Sequence, residues 1–250
     1  MTQSTVASHS DIPDKTETEP RLGAEAGTSF RALLEARRSI RAFSSEPVGA
    51  DRIDAVLQMA RHAPSWCNTQ PWRVYVLGGE VMESVKREFV QAAREREAHP
   101  DIPFMPGYAE PYLTRKRQAD EALRCASRIA PSDLKSQVLA VKRNWSFFGA
   151  PHAFIMTVPK AFGPYALLDL GCFLQTVLLA LVAENLAGCP QASLAQFPHV
   201  LRRHLPIPET EAVACGVSFG YPEPGAPANG CRTSRLSPDE FSHYSGMPTP

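Results

Sequence analysis

Several familiar signatures are missing from this chain. There is no G-x-G-x-x-G and no G-x-x-x-x-G-K-[ST], so neither a Rossmann-bound dinucleotide nor a P-loop is expected. There is no H-E-x-x-H, and none of the six cysteines forms a C-x-x-C pair. A zinc or dithiol site is therefore weakly supported. A hydrolase nucleophile elbow is also unsupported. Net charge is missing too: 26 Lys and Arg balance 26 Asp and Glu. A neutral chain lacks the basic field that gathers phosphates along a nucleic acid, so no nucleic-acid partner is expected. No run of roughly 18 apolar residues marks a membrane span, so no membrane partner is expected either. Met1 to Thr28 has no apolar signal segment and reads as a flexible tail. Most of the cysteines sit in apolar contexts and read as buried thiols in a reducing, cytoplasmic setting.

What is present supports a folded domain. The hydrophobic share is 44% over 250 residues, enough for a sizeable core. Ser29 is placed to cap a helix carrying Phe30, Leu33 and Leu34. A second helix, from about Asp51 to His62, buries Ile53, Val56, Leu57 and Ala60 at helical spacing, and Pro64 stops it. Val74 to Leu77 reads as a strand, ended by Gly78 and Gly79, and a charged helix follows from about Glu80 to Ala98. Pro100 to Pro111 is loop, and Tyr112 to Asn144 reads as one basic helical stretch with a solvated face. The aromatics around it, Phe104, Tyr108, Tyr112, Phe147 and Phe148, read as core.

Ala153 to Val158 is a second strand, and Tyr165 to Ala187 a long helix apolar nearly all round. Such a helix must be buried on every side, as a core helix or the seam of a dimer. Gly188 to Ser193 breaks it, a short helix follows near Pro198 to His204, and Ala212 to Phe219 reads as a central strand. The simplest account is one α+β domain over residues 29–245, with a helical insertion at about 100–148.

Two stretches carry chemistry. Arg37, Arg38, Ser39 and Arg41 set three guanidiniums and a hydroxyl at a helix end, a set able to hold a phosphate. In isolation a solvent-facing basic turn accounts for it as well, but Arg232 and Arg235 form a second small group that can converge with the first. Ala63 to Trp72 is fixed by Pro64 and Pro71 and dense in Ser65, Asn68, Thr69 and Gln70. That density in a rigid frame suits a pocket for a flat polar heterocycle. Trp66 and Cys67 read as packing. No nucleophile, metal cage or acid/base pair is evident, the profile of a protein whose bound cofactor does the chemistry.

Together these residues resemble the FMN-dependent nitroreductase family. Arg37 to Phe43 is similar to its flavin-phosphate motif, Ala63 to Trp72 to its second flavin motif, Gly188 to Leu194 to the segment beside the isoalloxazine, and Arg232 to Arg235 to its C-terminal phosphate group. The insertion is most similar to the nitrobenzoate-reducing branch. The resemblance implies a mostly antiparallel sheet surrounded by helices in an intertwined homodimer, with two FMN sites at the interface. It implies that Arg37, Arg38, Ser39, Arg41, Arg235 and Arg232 hold the phosphate end of FMN, and that Pro64, Ser65, Asn68 and Gln70 line the flavin. Gln191, Ala192 and Ser193 would present backbone groups near N5 and the pyrimidine edge. NADH or NADPH would be the donor and a nitroaromatic or quinone-like compound the acceptor. Hydride would pass through flavin N5 in ping-pong order, giving nitroso and hydroxylamino products with no catalytic side chain. Enone reduction, reductive dehalogenation, flavin destruction or a non-catalytic redox-sensing role are the alternatives on the same fold.

Overall fold

The computed structural model describes residues 24–95 and 98–247. A four-stranded sheet forms the centre, with β1 (Arg73–Leu77), β2 (His152–Pro159), β3 (Ala187–Gln191) and β4 (Glu211–Gly220). Its order is β1-β2-β4-β3, and every pairing is antiparallel. The period of two along a strand sorts the side chains to opposite faces. Phe154, Met156 and Val158 of β2 meet α2 (Ala50–Ala60) and α6 (Pro164–Ala183) on one face. Ala153 and Ile155 meet α3 (Gly79–Glu95) and α7 (Pro198–His204) on the other. Helices on both faces leave β2 and β4 buried almost throughout, which is why both read as apolar runs.

The departures from the sequence reading have physical causes. The first helix, α1 (Ala24–Ala36), starts before Ser29, which lies inside it and does not cap it. Five residues read as tail are thus helical, and residues 1–23 lie outside the described residues. The basic stretch splits into α4 (Tyr112–Ala126) and α5 (Leu134–Lys142), because Arg128 adopts a left-handed φ of 57° and Pro131 follows. Phe147 and Phe148 are core, but Phe104, Tyr108 and Tyr112 are exposed. Only Cys189 and Cys231 are fully buried, and Cys67 and Cys125 are exposed.

The segment read as a helix breaker is strand β3. Pro190 is tolerated there because β3 lies at the sheet edge. Gly188 is needed for close approach: a Cβ there would sit 2.9 Å from Leu181 Cδ1 of α6. The helix itself ends at Ala183. By length and composition α6 is apolar enough to cross a membrane, contrary to the reading that no stretch is. In this fold eight of its residues are buried against the sheet and its neighbours. Its first turns are not covered within the chain, since Tyr165 and Leu168 are 58% and 63% exposed.

His152 ties the sheet to the chain that follows the first arginine group. Its Nε2 accepts the Val48 N–H at 2.9 Å, and its ring stacks on Phe219. Burial holds its pKa below the ordinary value, a bond to the Leu77 backbone opposes that, and Lys86 adds to it. The unfolded chain takes up this proton near pH 6.5 and the folded chain only at lower pH. Stability is therefore expected to fall as pH drops below about 6.5. Urea unfolding across that range checks this, and His152→Gln, which keeps an acceptor without a proton site, should flatten the dependence.

Candidate functional site

After α1 the chain runs extended along the outer edge of β3. Ser39 bridges Gly188 in parallel, the Ile40 N–H donates to the Gly188 carbonyl at 3.2 Å, and Phe43 bridges Pro222. Ile40, Phe43, Phe148, Ala150 and Cys189 bury one another beneath it. The arginines between these anchors stay half-buried. Burial pushes the Cys189 thiol up to about 11, so it offers no thiolate.

Asn229, buried in the 3-10 turn Pro227–Gly230, fixes this segment from the other side. Its Oδ1 accepts the N–H groups of Arg41 and Ala42 at 2.9 and 3.0 Å, and its Nδ2 donates to the Ala42 carbonyl at 2.8 Å. The Arg38 Nε donates to its carbonyl at 2.9 Å. This clamp delivers Arg232 and Arg235 to the first group. Arg37, Arg38, Ser39, Arg41, Arg232 and Arg235 line one cavity of about 280 Å³.

The cluster is electrostatically open. Arg232 donates to the Glu35 carbonyl, Arg235 to Thr233 and Ser234, and Arg41 to the Ser39 carbonyl. Among the described residues none of the five has a carboxylate partner. Burial, then Arg235 and Arg232, hold the Arg37 pKa below its ordinary value. A dianionic phosphate would offset two of these five charges and accept charged hydrogen bonds from several of the guanidiniums, so the residues present fit a phosphate-bearing group.

The loop after α2 is rigid for a different reason. Pro64 precedes a 3-10 turn, Trp66–Asn68, and Cys67, Asn68 and Gln70 all have left-handed φ, at 50°, 56° and 45°. Such a run is costly for residues with side chains and persists only where bonds enforce it. The Trp66 N–H donates to Asp169 Oδ1 of α6 at 3.0 Å. Ser65 Oγ accepts the Gln70 N–H at 2.9 Å, and Gln70 Nε2 donates to Asn68. Trp66 does pack, tilted against Tyr165 with ring centres 4.7 Å apart, but at the surface rather than in the core. Pro64, Ser65, Asn68 and Gln70 do not line the arginine cavity.

Gln191, at the end of β3, is buried and spends its side chain on structure. Its Nε2 donates to the Asn144 carbonyl at 2.9 Å, and its Oε1 accepts from Ser218. Ser193 Oγ donates to Asn144 Oδ1 at 3.2 Å, and Ala192 starts the intervening 3-10 turn. Asn144 and Arg41 border a second cavity, of about 620 Å³, between α4, α5 and the Pro227–Gly230 turn. Arg41 lines both cavities, and Asn144, which holds Gln191 and Ser193, lines the second. Asn144 and Asn229 carried no sequence signal, because each reads as an ordinary turn asparagine. Gly216 to Gly220 spells G-x-S-x-G, but it lies inside β4 with Ser218 buried. A nucleophile elbow needs a strand-to-helix turn, so this is none.

Comparison with known proteins gives a consistent picture. The Nitroreductase family model matches residues 34–221. The chain is similar to 4-nitrobenzoate reductase of Pseudomonas putida, 32% identical over 218 residues, covering 87% of this chain and 96% of that one. It is similar to nitrobenzene nitroreductase of Ectopseudomonas oleovorans, 34% identical over 215 residues, covering 85% and 95%. Among solved structures, the FMN-dependent nitroreductase NfnB from Mycobacterium smegmatis in complex with NADPH superposes with a TM-score of 0.83. It is 31% identical, and the match covers 88% of this chain and 99% of that one.

The Asn229 clamp makes a direct prediction. Asn229→Ala orphans the buried Ala42 N–H, at a cost of about 1–3 kcal/mol, and the part-buried Arg41 N–H, at a smaller one. A loss of roughly 2 kcal/mol or more is expected in urea unfolding, and an unchanged midpoint would show that the clamp is not needed.

Proposed function

The chain belongs to the nitroreductase family, and from that premise we propose that it is an FMN-dependent enzyme that reduces nitroaromatic compounds with NADH or NADPH. One observation carries this reading: five arginines from the two ends of the chain converge, without carboxylate partners, on a single cavity. Bound FMN would supply the chemistry, passing two electrons and a proton at a time from the nicotinamide to the nitro group.

The chain's own residues bind and orient. Arg37, Arg38, Ser39, Arg232 and Arg235 would take the phosphate, and Arg41 the adjoining part of the cofactor. Asn144 lines the second cavity with Arg41, and Gln191 and Ser193, which it holds, would with Ala192 offer backbone donors to the ring edge. Preformed donors of this kind stabilise charge as it develops, without reorganising. No side chain has to act as a nucleophile, which agrees with a buried, protonated Cys189 and a buried Ser218. A single site that serves donor and acceptor in turn implies ping-pong order.

We also propose an intertwined homodimer. Two observations support it. The first turns of α6 and the side chains Phe30 and Leu34 of α1 present apolar surface that the chain does not cover. The loop Pro64, Ser65, Asn68 and Gln70 does not line its own arginine cavity, so a second copy would supply it. The six free cysteines suit a reducing compartment, and the cytoplasm is the proposed location.

Two experiments test this. Under anaerobic conditions NADH or NADPH should bleach the bound flavin, and a nitroarene should restore its colour; a flavin that neither nucleotide reduces ends the proposal. Arg37→Gln or Arg235→Gln should weaken FMN binding at least about tenfold, from loss of a charged hydrogen bond. Flavin fluorescence titration reads this, and added salt should weaken the parent protein in the same direction.

A further inference from the structure

The cavity of about 620 Å³ falls within the size of small-molecule sites, about 300–1,000 Å³. Its walls are largely apolar, from Leu123, Ile129, Leu139 and Phe148, which suits an aromatic ring. Two cationic residues border it, Arg41 and Arg143. Arg41 leans toward the phosphate cluster, because its Nη1 donates to the Ser39 carbonyl at 3.4 Å. Arg143 stands at the C-terminal end of α5.

Arg143 also borders a groove between α3 and α5, so its guanidinium has two spaces available. A bond decides between them. Its Nη2 donates to the Phe148 carbonyl at 3.4 Å, while the Phe148 N–H donates to the Arg143 carbonyl at 2.9 Å. Phe148 lines the apolar cavity and not the groove. The remaining guanidinium donors are free of carboxylates among the described residues. The one acidic residue lining the cavity, Asp120, is paired with Lys116 at 2.5 Å.

We infer that Arg143 sets the substrate class by holding a carboxylate on the nitroaromatic compound through charge-assisted hydrogen bonds. The inference rests on the flavin-dependent nitroreduction proposed above. An acidic nitroarene would place its ring among Leu123, Ile129, Leu139 and Phe148 and its carboxylate on Arg143. A neutral nitroarene would have the ring contacts alone. A bidentate carboxylate is recognised by the planar fork of arginine better than by the point charge of lysine.

The FMN-loaded protein should be titrated with benzoate and with benzamide, neither of which can be reduced at a nitro group, following the perturbation of flavin absorbance. Benzoate should bind about tenfold more tightly than benzamide or better. Arg143→Gln should abolish that preference and Arg143→Lys should restore part of it. In steady-state assays the kcat/KM ratio of 4-nitrobenzoate to nitrobenzene should fall by the same factor in Arg143→Gln, through KM. Equal affinity for benzoate and benzamide overturns the inference, as does a preference that survives Arg143→Gln. A shifted flavin midpoint potential with the preference intact would give Arg143 to the cofactor and overturn it too. Failure of the underlying function looks different: neither nitroarene would reoxidise the reduced protein, while the equilibrium preference would still be measurable.

Discussion

Five guanidiniums held around one cavity without a carboxylate partner among the described residues are the constraint on which the rest of this structure depends. Two unit charges about 6 Å apart repel by roughly 0.7 to 3 kcal/mol, for effective dielectrics between those of water and of a protein surface. The depressed Arg37 pKa, due to burial and then to Arg235 and Arg232, is the local record of that strain. The opposing terms are close at hand. Ile40 and Phe43 are buried, at about 1.5–3 kcal/mol each. Asn229 adds three hydrogen bonds to Arg41 and Ala42. The apolar and amide anchors oppose the repulsion and fix the segment, and the positive field is left available to a ligand. A cluster neutralised by its own carboxylates would be easier to fold and useless for binding phosphate.

That balance explains what the sequence disclosed. Elements set by local pattern were legible: Ile53, Val56 and Ala60 announced α2, and the mostly apolar run after Ala212 announced β4. β3 was not, because Gly188 and Pro190 are poor strand formers whose conformation is imposed by pairing with β4 and by the bridge to Ser39. The arginines of the site were legible because their chemistry is in the side chains. The residues that hold the surrounding segments were not: Asn229, which clamps the arginine segment, and Asn144, which holds Gln191 and Ser193. Their role comes from partners 188 and 47 positions away, and nothing in the neighbouring letters marks those distances.

The same distinction applies to α6. Its composition says that it must be buried all round, and the chain buries only part of it. The uncovered turns, at Tyr165 and Leu168, adjoin Trp66, which packs tilted against Tyr165. The loop bearing Ser65, Asn68 and Gln70 is therefore continuous with the apolar surface left open. A helix with a surplus of leucine and a loop with a surplus of amides are two parts of one open face, and the second copy proposed above would satisfy both.

The strain in that loop then has a use. Three left-handed residues in four positions, none of them glycine, would relax if released from Asp169 and from the Ser65 hydroxyl. Asp169 belongs to α6, the helix that borders the open face. The geometry of the amides is thus set by the same helix that would meet the second copy. In the proposed dimer, docking that helix would position the amides without a separate ordering step, so the ordering cost would fall on folding rather than on cofactor binding. A flexible loop with the same side chains would meet the flavin more weakly, because each immobilised side chain would cost about 0.5–1.5 kcal/mol at the moment of binding.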